Sequence, residues 1–183
     1  MTKILIVFIT VFLLNVYTIS PVIGFSSVAT PSASPAVVLD YTLPFPGILP
    51  DHPLYKIKLF RDRILLFFTR DPVKKINLEL LMSDKQVVMG NLLWEKGKID
   101  LAIENFTKSE KTLLTAVMSL AELKKTNSLP AGLADKLELS AKKHEEIISK
   151  LFTQVGEETK KNELGSVLEI THQTIQQVAF VKE

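Results

Sequence analysis

From Leu54 onward, apolar side chains recur at three- and four-residue intervals in five blocks separated by Pro, Gly and Asn signals, a period that predicts helices throughout. In the first block, about 54–68, Leu54, Ile57, Leu59, Phe60, Ile64, Leu65, Leu66, Phe67 and Phe68 leave only a narrow strip for Lys56, Arg61, Asp62 and Arg63. A helix apolar nearly all round is expected to be buried in a bundle; the rival reading is a basic helix resting on a membrane surface. Asp71-Pro72 supplies a cap and a first-turn proline for a second helix over about 72–95, which Gly97 stops. There Val73, Ile76, Leu80, Val87 and Trp94 line one side, Leu78, Leu81, Met82, Val88, Met89 and Leu92 the other, and Glu79, Ser83, Gln86 and Gly90 form a polar stripe. Apolar flanks of that width predict a central helix with neighbours on two sides. Asp84 falls inside the first flank, where a lone carboxylate is costly, and Arg61 or Arg63 is its predicted partner.

The third block, about 98–125, turns Ala102, Phe106, Ser109, Leu113, Ala116, Leu120 and Leu123 inward. After the turn Asn127-Ser128-Leu129-Pro130, a fourth helix over about 130–155 presents Leu133, Leu137, Ala141, His144, Ile148, Leu151 and Val155, and Gly156 ends it. The fifth, about 161–180, presents Leu164, Leu168, Thr171, Ile175 and Val178. The expected fold is therefore an all-α bundle of about five helices with short connections. Gly90, Leu93, Gly97, Ala102, Phe106 and Ser109 resemble the spacing of one tetratricopeptide unit. No second copy follows, so the stretch is taken as a helical hairpin with similar packing.

Ahead of the helices, Tyr41 to Tyr55 reads Tyr-Thr-Leu-Pro-Phe-Pro-Gly-Ile-Leu-Pro-Asp-His-Pro-Leu-Tyr. Pro44, Pro46, Pro50 and Pro53 fix φ and remove four backbone donors, which excludes a helix interior or a central strand. Leu43, Phe45, Ile48, Leu49, Leu54 and Tyr55 give it an apolar load foreign to a solvated linker, so residues 41–53 are expected to form an extended strap on the helices, turned at Gly47. Asp51 is the predicted N-cap of the first helix. The stretch resembles the opening motif of a family of uncharacterised bacterial domains, exported or membrane-anchored, in which Tyr41, Leu43, Pro44, Pro46, Gly47, Leu49, Pro50, Asp51, Pro53, Leu54 and Tyr55 are the patterned positions. Lys58, Arg61, Asp62, Arg63, Asp71, Pro72, Lys74 and Lys75 continue the likeness, which runs to about Val117. Where that pattern has Ala-Asp-Lys-Arg, this chain has Ser83-Asp84-Lys85-Gln86. The resemblance implies placement and fold rather than an activity.

At the start of the chain, Met1–Lys3 is positive and Ile4–Gly24 carries no charge, as an export signal does. Ser27 and Ala29 suit cleavage after residue 29; a run of this length could also cross a bilayer as an uncleaved anchor, placing residues 4–23 in the membrane. Residues 30–40, rich in Ser, Pro and Ala, read as a tether, and residues 41–183 as one helical domain. The expected location is extracellular or in the cell envelope.

Charge and chemistry change this picture little. A formal charge of +2 over 183 residues gives no field for nucleic acid, and the pairs Lys124-Lys125, Lys142-Lys143 and Lys160-Lys161 have acids beside them and no interleaved aromatics. Cysteine is absent, which removes disulfides, thiolate metal sites and thiol nucleophiles together. His52, His144 and His172 are the histidines. His144 opens His-Glu-Glu-Ile-Ile, where Ile148 occupies the place of the second zinc ligand. No phosphate loop or nucleophile elbow occurs, and no catalytic residue, metal ligand or cofactor is assigned. The functional expectation is a non-catalytic interaction or scaffold domain binding a protein partner or itself. The alternative is a small-ligand or metal sensor in which His144 and His172 converge.

Overall fold

In a computed structural model, which describes residues 41–126 and 129–183, five helices and no strand form among the described residues: α1 Tyr55–Phe68, α2 Pro72–Glu95, α3 Ile99–Lys125, α4 Leu133–Gln154 and α5 Glu158–Lys182. This is an all-α bundle. The export segment 1–29, the tether 30–40 and two residues of the predicted turn, Asn127 and Ser128, lie outside the described residues. No described helix is long and apolar enough to cross a membrane.

Local signals set most boundaries. The Asp71 carboxylate accepts from the Lys74 amide at 2.9 Å and Pro72 stands at the first helical position, so α2 starts with its free amides partly satisfied. Gly97 takes φ 73, the left-handed conformation that ends α2 and reverses the chain into α3. Gly132, at φ 75, closes the turn after Pro130 and starts α4 at Leu133, three residues later than the periodicity implies. α5 begins at Glu158, ahead of the expected 161.

The α2–α3 hairpin is the most extensive pairing; α5 packs on both α3 and α4, and α1 touches α2 only sparsely. Two apolar clusters result. One gathers Ile76, Leu80, Leu113, Val117, Leu137 and Val178 toward one end, the other Val87, Leu93, Phe106, Ile148, Leu164 and Val167 toward the opposite end. Between α2 and α3 the backbones approach closely because Gly90 lies under the Phe106 ring; an added Cβ would stand 2.6 Å from Cε1.

The first helix departs from expectation in two ways. α1 is not buried all round: Tyr55, Leu59, Asp62 and Leu66 turn inward, while Phe60, Phe67 and Phe68 remain 66, 81 and 71% exposed, because no second layer covers the outer side. Asp51 does not cap α1. The helix starts after Leu54, whose amide bonds to Nδ1 of His52 at 3.2 Å, while the Asp51 carboxylate turns to Lys98 and Lys96 at 2.9 and 3.2 Å beyond the end of α2.

The Gly90–Phe106 contact is testable. Gly90→Val is expected to cost about 1–3 kcal/mol through overpacking, seen as a lower urea midpoint with unchanged slope. Gly165→Ala, whose Cβ would meet Phe152 at an ordinary 3.6 Å, should leave stability unchanged or raise it by up to about 1 kcal/mol.

Candidate functional site

Between the two apolar clusters, the four long helices each contribute polar side chains near mid-length: Ser83 and Asp84 from α2, Ser109 and Glu110 from α3, Ser140 and His144 from α4, and Thr171 and Thr174 from α5, all buried. The two threonines bond the preceding turn of their own helix, to the carbonyls of Val167 and Ile170. Of the others, all but the Ser83 hydroxyl, which has no partner among the described residues, bond across helices. His144 Nε2 lies 3.1 Å from Asp84 Oδ1 and its Nδ1 2.8 Å from Glu110 Oε1. Ser140 donates to Asp84 Oδ1 at 2.6 Å, and Ser109 donates to the Ser83 carbonyl at 2.9 Å.

With a carboxylate on each nitrogen, the imidazole must carry both protons to donate to both. Burial alone would lower its pKa, but Glu110 and Asp84 override that cost and raise it to about 9. His144 is thus a buried imidazolium at neutral pH, bridging α2 and α3 from α4. Glu110 Oε2 has no hydrogen-bond partner among the described residues. The geometry leaves little room for chemistry. The Ser109 and Ser140 hydroxyl protons are committed to other acceptors, and the side chains of His144 and Glu110 have no exposure.

The proline-rich stretch before α1 meets this layer through Tyr41. The Tyr41 hydroxyl donates to Asp84 Oδ2 at 2.6 Å, so Asp84 accepts from Tyr41, Ser140 and His144 together. Burial, and then the hydrogen bond to this carboxylate, raise the Tyr41 pKa well above the ordinary phenol value. Leu43 packs on the cluster around Phe106. Farther along, Lys58 of α1 donates to the carbonyl of Pro46 at 2.9 Å and lies 3.4 Å from that of Ile48. Partial burial lowers the Lys58 pKa.

A groove of about 370 Å³ runs between α1 and the α2–α3 hairpin, with Leu59, Leu66, Met82 and Met89 in its apolar lining. Lys58, Arg63, Lys85, Lys108 and Lys111 edge it, against Asp62 as its carboxylate.

A family described as Domain of unknown function (DUF5667) matches residues 47–178. The chain belongs to this family. No curated protein and no solved structure matches it. In this DUF5667 domain the matched segment contains Asp84, Glu110 and His144 and begins after Tyr41.

The sequence-predicted pairing of Asp84 with Arg61 or Arg63 is not what forms. Arg61 folds onto its neighbour Asp62 at 2.7 Å on the surface, Arg63 is exposed at the groove, and Asp84 takes His144, Ser140 and Tyr41 from the interior. His144 and His172 do not converge. His172 is exposed and bonds Glu145 at 2.9 Å, whereas both nitrogens of His144 are occupied inside. Among the described residues no group of three His, Asp or Glu side chains is disposed to hold a metal ion. Glu110, Ser140 and the Tyr41 hydroxyl were missed from sequence. The available signal was polar residues, Asp84, Ser109, His144 and Thr171, at matching heights on four inward stripes.

The layer makes stability pH-dependent. Folding raises the His144 pKa from 6.5 to about 9, so its stabilisation is complete below pH 6.5 and is lost as pH climbs through about 9. The shift corresponds to on the order of 3 kcal/mol. Urea titrations at pH 7 and 10 should show that loss, and His144→Gln, which leaves the buried carboxylates without their cation, should cost about 3–5 kcal/mol at pH 7 and flatten the dependence. Tyr41→Phe should cost about 1–3 kcal/mol and speed amide exchange in residues 41–53.

Proposed function

We propose that the protein is an exported, non-catalytic interaction or scaffold domain of the bacterial cell envelope whose contact surface is the outer side of α1. The observation that carries this reading is the exposure of Ile57, Phe60, Leu65, Phe67 and Phe68 on one helix that the bundle leaves uncovered. Monomeric proteins seldom keep so contiguous an apolar patch in water, and Phe45 and Ile48, also exposed, extend it along the neighbouring segment. The uncharged run Ile4–Gly24 supports an envelope location. The closed polar layer supports a structural role for His144 and its carboxylates, since a general base needs reach to a substrate proton.

A benzophenone amino acid at Phe60, which reacts with protein or lipid C–H bonds, is expected to give adducts in intact cells. The same probe at the exposed Gln173 of α5 should give few. Equal yields at both positions would remove α1 as the contact surface. Mass spectrometry of the mature N-terminus, together with protease accessibility in whole cells, checks export; a cytoplasmic, protease-protected chain would contradict it.

A further inference from the structure

The α1 surface has a charge pattern as well as an apolar one. At 100° per residue, Ile57, Phe60, Ile64, Leu65, Phe67 and Phe68 fall within an arc of about 160°. On the same projection Lys56 and Arg63 border one edge of that arc and Arg61 lies within it; Lys58, at the other edge, is held by the Pro46 carbonyl. α1 carries four cations against one carboxylate, more net charge than the +2 of the whole chain. Its lone acid, Asp62, is already paired with Arg61. The groove beside the helix adds Lys85 and Lys111, while Lys108 there is paired with Glu104.

We propose that the occupant of this face is the surface of a bilayer containing anionic lipid, with α1 lying in the plane of the interface. This rests on the reading of α1 as the contact surface and names what it contacts. The arrangement is that of an interfacial helix: phenylalanine and aliphatic side chains enter the boundary between headgroups and acyl chains, and flanking lysine and arginine stems reach back to the phosphates. Each cation held near an anionic surface strengthens attachment about fivefold. A retained Ile4–Gly24 run would add tethering, because residues 25–40 span at most about 60 Å.

The test uses the full chain, which has no cysteine of its own, so that Phe67→Cys or Gln173→Cys takes a single environment-sensitive dye. Each is reconstituted with vesicles of phosphatidylcholine alone or with about a third phosphatidylglycerol. A blue-shifted, iodide-shielded Phe67 label in the anionic vesicles, with the Gln173 label still in water, is the expected result. Lys56→Gln and Arg63→Gln, both on exposed side chains, should each lower the partition of the label about fivefold. Equal shielding in neutral vesicles would overturn the anionic assignment. A Phe67 label that stays in water with both vesicles but is shielded as protein concentration rises would overturn the lipid and leave α1 as a self-contact. A label in water under every condition would overturn both.

Discussion

The His144 ring, with one nitrogen against Asp84 and the other against Glu110, ties three helices at their midpoints, and the rest of the bundle is arranged on either side of it. The carboxylates come from α2 and α3 and the imidazolium from α4, with serines of the same helices filling other bonding positions. A buried ion pair adds little net stability over well-packed hydrocarbon, because desolvation consumes most of the attraction. What it does impose is register. Sliding any of the three helices by one turn would set a charge against leucine and valine, at a cost that no apolar contact could recover. The hydrocarbon clusters, by contrast, are mostly aliphatic and tolerate exchange among similar residues, apart from Phe106, which fits only over Gly90.

The same layer explains why the proline-rich stretch lies where it does. Proline gives it shape by removing donors, but shape alone does not attach it. Attachment comes from Tyr41, which reaches a carboxylate already engaged by His144 and Ser140, and from Lys58, which supplies donors to carbonyls that the prolines leave without a ladder partner. Asp51, held by Lys98 and Lys96, fixes the far end of the stretch to the turn between α2 and α3. α1 follows directly, so its direction is set by these polar ties more than by its own packing.

Helix existence and order were legible because the apolar period is long and its breaks carry Pro and Gly at positions with a physical use, such as Asp71-Pro72 and Gly97. The inward placement of Ser109, His144 and Thr171 could also be read from that period. Their meeting could not, since it depends on the vertical alignment of antiparallel helices, which periodicity does not encode. Arg61 and Arg63 looked like partners for Asp84 because opposite charges nearby in sequence are the obvious solution. The interior supplied a histidine sixty positions away instead. α1 misled for the reciprocal reason: an apolar circumference signals absence of water without saying whether protein takes its place.

Connectivity has a consequence for synthesis. α2 and α3 pair through a tight turn and can close as soon as both have emerged, whereas the last helix packs on α3 and α4 and contributes Leu164, Val167 and Val178 to both hydrocarbon clusters. A nascent chain halted before residue 158 would therefore hold a ready hairpin with two unsealed flanks. Local pairing is quick and distant closure slow, so the C-terminal rod acts as the keystone, and a chain awaiting it is the form most open to chaperones and proteases.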